Sequence, residues 1–243
     1  WLDHGAHRHR GRCRGDSLLK KKAKVESVMM LSPIIKHKPP MPASTLLFGG
    51  TFDPIHLGHL QVAERVQAQF HFDRFLFVPC RVPVHKASTH TPAHHRLAMI
   101  TRALCEYPVE NAALCLEEIH RQSPSYTLNT LQRFRRKLGP HSRLSFLLGL
   151  DAFLTLHEWN HPEKFFTYAD FIVLFRPGQG VHPPATSQHV QFFDAGAFEI
   201  SSTSIRQHVR EGLCFEQFVS SRVAAYIRQH RLYRSASSAI CLR

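Results

Sequence analysis

The stretch Thr45–Leu60 constrains this chain more than any other. It reads Thr-Leu-Leu-Phe-Gly-Gly-Thr-Phe-Asp-Pro-Ile-His-Leu-Gly-His-Leu, an apolar run, a glycine pair and a proline bend, followed by an amphipathic segment that continues to about Phe70. The short apolar run predicts a buried strand, and the helical spacing after the bend predicts a helix. Gly49 and Gly50 let the backbone come close to a ligand. The helix start offers unpaired N–H groups at a positive dipole end. His56 and His59, three residues apart, fall on one helical face. Two imidazoles at an end that favours anions predict a polyphosphate site.

The same strand-then-helix grammar continues along the chain. Strands are expected at residues 45–50, 74–79, 112–117, 143–149, 170–176 and 190–193, and helices at 57–69, 93–105, 126–138, 203–211 and about 219–230, with short helical pieces from 150 to about 166. Apolar strands alternating with helices predict an α/β fold: a Rossmann-like, mainly parallel sheet with helices on both faces. Ligands of such sheets sit beyond the carboxyl ends of the strands. Gly49-Gly50-Thr51, Arg81 to Lys86, Asp151 and Arg176 all stand at such ends.

Charge and composition divide the chain. Residues 1–44 hold ten Lys or Arg against three Asp or Glu, more than half of the net excess of +13. Residues 1–43 are therefore expected to be a basic, disordered extension, residues 44–234 a single domain and 235–243 a short tail. The chain begins with Trp1, and Met41 stands four residues before the first strand, so residues 1–40 are expected to lie upstream of the natural domain. The moderately basic remainder suits anionic substrates without requiring nucleic acid. No apolar run approaches the ~18 residues of a membrane span. The six cysteines are scattered without a C-x-x-C pair, which fits reduced thiols in the cytoplasm rather than a disulfide framework. His56 and His59 have no third ligand at metalloprotease spacing, so no protein-held metal is expected.

Two motifs carry a resemblance. Residues 49–59, Gly-Gly-Thr-Phe-Asp-Pro-Ile-His-Leu-Gly-His, resemble the H-x-G-H signature of the nucleotidyltransferase superfamily, and Ile200-Ser-Ser-Thr-Ser-Ile-Arg206 resembles the I-S-x-T-x-I-R segment that completes its ATP site. Four more features resemble the bacterial nicotinate-nucleotide adenylyltransferase family: Pro79-Cys-Arg-Val-Pro-Val-His-Lys86, with Val84 where a second proline is usual; Ser125-Tyr126-Thr127; Gly149-Leu150-Asp151 followed by Trp159; and Arg176-Pro177-Gly178. The match runs from Thr45 to Arg234.

The resemblance implies adenylyl transfer from ATP to nicotinate mononucleotide, with Mg²⁺ held mainly by the substrate phosphates. It implies catalytic roles for His56, His59 and Arg206. ATP would meet Gly49, Gly50, Thr51, Phe52, Gly58, Arg176, Ser201, Ser202 and Thr203. The acceptor would meet His85, Lys86, Tyr126, Thr127, Asp151 and Trp159. Trp159 would stack on the pyridine ring, and the helix start at Tyr126–Thr127 would receive the nicotinate carboxylate. A plain helix cap remains open for Asp151 and for Ser201 to Thr203, solvated charge for His85 and Lys86, and turn chemistry for Arg176. Partners are expected to be these small molecules, with no nucleic acid and no membrane. The rival within the class is a pantetheine-phosphate adenylyltransferase, whose first motif is similar but which lacks the Ser-Tyr-Thr, Trp and Arg-Pro-Gly features. From another class, the N-terminal charge supports a basic nucleic-acid-binding module.

Overall fold

Apolar side chains alternate across the central strands, and that alternation divides the protein into two cores. A computed structural model describes residues 43–81, 91–121, 125–175, 188–194, 196 and 200–234, all within the unit Pro40–Arg243. The strands are β1 (Ser44–Gly50), β2 (Arg74–Pro79), β3 (Ala112–Leu114), β4 (Arg143–Gly149), β5 (Asp170–Phe175) and β6 (Val190–Asp194). Leu46, Phe48, Phe75, Phe77, Leu147 and Ile172 point into one core, while Leu47, Phe146, Leu148, Phe171 and Val173 point into the other. Burying such a side chain fully stabilises by about 1.5–3 kcal/mol, so a strand apolar on both faces favours the middle of a covered sheet.

The helices are α1 (Leu57–Phe70), α2 (Ala93–Glu106), α3 (Thr127–Leu138), α4 (Leu150–Leu154), α5 (Phe165–Tyr168), α6 (Ser202–Glu211) and α7 (Ser221–Gln229). Residues of α1, α2, α6 and α7 line the first core, and those of α3, α4 and α5 the second. Their ends follow ordinary capping chemistry. Ser201 caps α6 by accepting from the Ser204 N–H at 3.0 Å, and α6 stops at Gly212 in a left-handed conformation (φ 74°). Glu106, the last residue of α2, accepts from the N–H groups of Ser221 and Arg222 and so caps α7. No helix among the described residues is long and apolar enough to cross a membrane.

The sheet order is β3-β2-β1-β4-β5-β6, and every described pairing is parallel, where sequence pattern predicts only a mainly parallel sheet. The chain leaves β1 towards β2 on one side and returns to β4 on the other. That reversal opens a crevice beyond the carboxyl ends of β1 and β4. β3 ends at Leu114 instead of reaching Glu117, because the chain turns at residues 117–120 to bury Glu118, which accepts the Thr130 hydroxyl at 2.7 Å.

Candidate active site

The turn after β1 is shaped by its own aromatic rings. A Cβ on Gly49 would stand 2.8 Å from Cζ of Phe146, and one on Gly50 2.8 Å from Cζ of Phe52. Sequence reading assigns this pair to ligand approach; the structure adds that both positions are already filled by rings. Phe52 takes a left-handed φ of 49° and sends its ring into the core at 2% exposure, edge-on to Phe48. As an expected ATP contact, Phe52 is corrected to this extent: its side chain is core, and only its backbone remains for a ligand. The Asp53–Pro54 peptide that follows is cis.

His56 then caps α1 with extended backbone (φ −142°, ψ 169°), and its N–H donates to Nδ1 of His59 at 3.2 Å. An imidazole that accepts at Nδ1 is held at a fixed angle by that bond, with its Nε2 edge turned away from the His56 backbone. The two rings lie 3.7 Å apart between centroids, and Phe52 braces the His59 ring at 5.1 Å. Gly58 is buried in the first turn between them.

The second motif docks onto this turn, although about 150 residues separate the two in the chain. The Ser202 hydroxyl donates to the Pro54 carbonyl at 2.9 Å, and Arg206 donates to the Asp53 carbonyl at 2.8 Å and to Oγ1 of Thr203 at 3.2 Å. These bonds use two of the five guanidinium N–H groups of Arg206. The hydroxyl of Ser201 is committed to the helix cap, so that part of the expected phosphate contact is a cap.

Asp53 holds the assembly from beneath. Its carboxylate accepts the Tyr233 hydroxyl at 2.7 Å and the Thr91 N–H at 3.2 Å. Burial pushes this carboxyl up, but the hydrogen bonds from Thr91 and Tyr233 outweigh it and hold the group below the ordinary carboxylate range. Burial and the neighbouring carboxylate push the Tyr233 phenol far up, so it stays a donor.

A recess opens on the other side of the crevice. It is lined by Tyr126, Thr127 and Leu128 at the start of α3 and by Trp159, Asn160 and Phe165, with Ser125 at its edge. Trp159 stands edge-on to Phe165 at 5.9 Å, which fixes the indole while leaving it half-buried. The first turn of α3 points N–H groups and a positive dipole end at this space, a match for a carboxylate beside an aromatic ring. Arg81 ties the recess to β2: its N–H donates to Oγ of Ser125 at 3.1 Å and its guanidinium to the Arg121 carbonyl.

The structure thus brings His56, His59, Gly49, Gly50, Thr51, Gly58, Ser202, Thr203 and Arg206 together, and Tyr126, Thr127 and Trp159 together. Asp151 stands exposed on the first turn of α4 and is not among the residues lining the recess. His85, Lys86 and Arg176 lie outside the described residues. Sequence reasoning gave no role to Asp53, Tyr233, Asn160 and Arg96. For Arg96 the signal was present: a charged residue on the same helical face as Met99, Ile100 and Ala103.

Residues 47–208 match the model of the family described as Cytidylyltransferase-like. A probable nicotinate-nucleotide adenylyltransferase of Desulfatibacillum aliphaticivorans is 36% identical over 220 residues, covering 77% of this chain and 98% of the relative. One from Serratia proteamaculans (strain 568) is 34% identical over 209 residues, covering 77% and 94%. Among solved structures, Plasmodium falciparum nicotinic acid mononucleotide adenylyltransferase complexed with NaAD superposes with a TM-score of 0.65 at 20% identity, over 79% of this chain and 97% of that one. At that identity the superposition speaks for the fold alone.

Proposed function

The chain belongs to the nicotinate-nucleotide adenylyltransferases of the cytidylyltransferase-like family, and we propose that it transfers the adenylyl group of ATP to nicotinate mononucleotide, giving nicotinate adenine dinucleotide and pyrophosphate. The observation that carries the reading is the docking of the α6 start onto the Asp53–Pro54 turn. It gathers two imidazoles, a guanidinium and two helix N-termini at one edge of the crevice, with an aromatic recess beside them.

In this reading a phosphate oxygen of the mononucleotide bonds to the α-phosphorus of ATP as the bond to the bridging oxygen of pyrophosphate breaks. No enzyme nucleophile is needed, so the residues supply position and charge neutralisation. His56 and His59 donate to the phosphate oxygens. Arg206, held at its Asp53 and Thr203 ends, turns its remaining donors to the departing pyrophosphate. Trp159 faces the pyridine ring, and the N–H groups at Tyr126–Thr127 meet its carboxylate; an amide would place a donor where an acceptor is wanted.

Magnesium belongs to this reading as part of the nucleotide substrate, since Mg²⁺ keeps most of its water and is held by phosphates. Among the described residues no group of three or more His, Cys, Asp or Glu is arranged to hold a metal, and Asp53 is committed to Tyr233 and Thr91. The same reading assigns catalysis to residues 44–234 and the work to the cytoplasm. Its test is direct. The full chain incubated with ATP, Mg²⁺ and nicotinate mononucleotide should release pyrophosphate in step with dinucleotide, and faster than with the nicotinamide mononucleotide. Absence of pyrophosphate refutes the reading; equal rates for acid and amide remove the α3 start from the selection.

A further inference from the structure

Arg96 lies on the inner face of α2, at i−3, i−4 and i−7 to the buried Met99, Ile100 and Ala103, and is itself only 1% exposed. A guanidinium in an apolar stripe is costly unless its N–H groups are satisfied. Here the partners are three backbone carbonyls in three different directions. Nε donates to Thr91 at 3.0 Å, one terminal nitrogen to Thr51 at 2.8 Å and the other to Arg81 at 3.0 Å.

Each carbonyl leads to a different part of the crevice. Thr51 begins the turn that ends in His56. Thr91 donates its N–H to Asp53, whose own carbonyl holds Arg206. Arg81 donates its N–H to Ser125, at the edge of the aromatic recess. The side chain that touches the phosphate side of the crevice and the segment that supports the recess is therefore one and the same. Only a planar fork with donors at three corners fits this arrangement; an ammonium on a flexible stem does not reproduce it.

We infer that Arg96 is a positioning residue that sets the phosphate-binding turn in register with the aromatic recess. The inference deepens the proposed function, because the two halves it aligns are the two substrates' halves. Misalignment of reacting groups acts on the chemical step more than on the binding of either partner alone, and an offset of about 1 Å is enough to cost about 10²-fold.

The test compares the full chain with Arg96→Lys, which keeps charge and stem but loses the fork, and with Arg96→Met. Where Arg96→Met does not fold, Arg96→Lys decides. For Arg96→Lys we expect kcat to fall about 10²-fold, with KM for each substrate within about threefold and each substrate still binding at one site per chain. A structural lesion that merely thins the folded population lowers kcat and binding stoichiometry together, and that outcome overturns the inference, as does a kcat within about threefold of the parent. Amide hydrogen exchange read on the same variant does not depend on activity. Exchange at Cys80, Arg81 and Thr91 should quicken, and unchanged exchange there overturns the clamp. An inactive parent chain counts against the proposed function, while the exchange result alone then decides whether Arg96 holds these segments.

Discussion

Single residues in the crevice differ in what they can lose. His59 has one ring nitrogen engaged by the His56 backbone, and its ring lies against that of His56. His59→Ala should lower kcat about 10²-fold or more with the fold intact, the usual cost of removing one transition-state donor; a near-normal kcat removes it from the mechanism. Trp159 is positioned by Phe165 rather than engulfed by it. Trp159→Ala should raise KM for nicotinate mononucleotide and scarcely touch that for ATP; an equal loss for both marks the indole as structural. Asp53 makes a prediction about pH. Its lowered carboxyl stabilises the fold fully above the unfolded-state value of about 3.9, and that stability is lost as pH falls through the folded-state value. Urea midpoints should show the parent ahead of Asp53→Asn at pH 7 and the gap narrowing as pH falls below the unfolded-state value. A gap that stays constant means that the carboxylate charge is not what matters.

At the scale of elements, the site is a consequence of how β1 ends. The strand delivers two glycines into a space already filled by Phe146 and Phe52, and this lets the turn fold back tightly enough for His56 to cap α1. Gly50→Ala would drive a methyl into the Phe52 ring, and overpacking of this kind costs about 1–3 kcal/mol. Because Phe52 also braces His59, the variant should lose activity along with stability, and Gly50→Ala/Phe52→Leu, where the ring is gone, should recover stability but not activity. A thermal melt with kcat measured on both variants checks this; an unchanged single variant means that the ring moves aside freely. The fit of sequence reading to these elements is close because each of them is a local object. Apolar alternation, the proline bend and the Ser201 cap all act within a few residues. β3 is the exception. Its expected end at Glu117 fails because Glu118 is drawn inward by Thr130, a partner twelve positions away on another element.

On the scale of the whole molecule, the reversal of strand order between β1 and β4 opens the crevice. The histidine turn belongs to the first half of the fold, and the α6 segment that completes it arrives from the far end of the chain. Residues 44–234 should then suffice for the reaction. Deleting residues 1–40 should leave adenylyl transfer unchanged, whereas a nucleic-acid-binding role for the basic segment predicts that polynucleotide binding disappears with it. A gel-shift assay beside the pyrophosphate assay separates the two.

By itself the sequence determined the alternation of strands and helices, the histidine pair at a helix start and the two motifs that carry the family resemblance. All of these are encoded by spacing and residue type within short windows, where backbone geometry leaves few options. Only the tertiary structure decided that Phe52 is core and that Asp53, Tyr233 and Arg96 support the crevice from below. These roles depend on burial and on partners as distant as the 180 positions between Asp53 and Tyr233. A buried charge becomes tolerable only when folding gathers its partners around it, and nothing in the local sequence records which partners those will be.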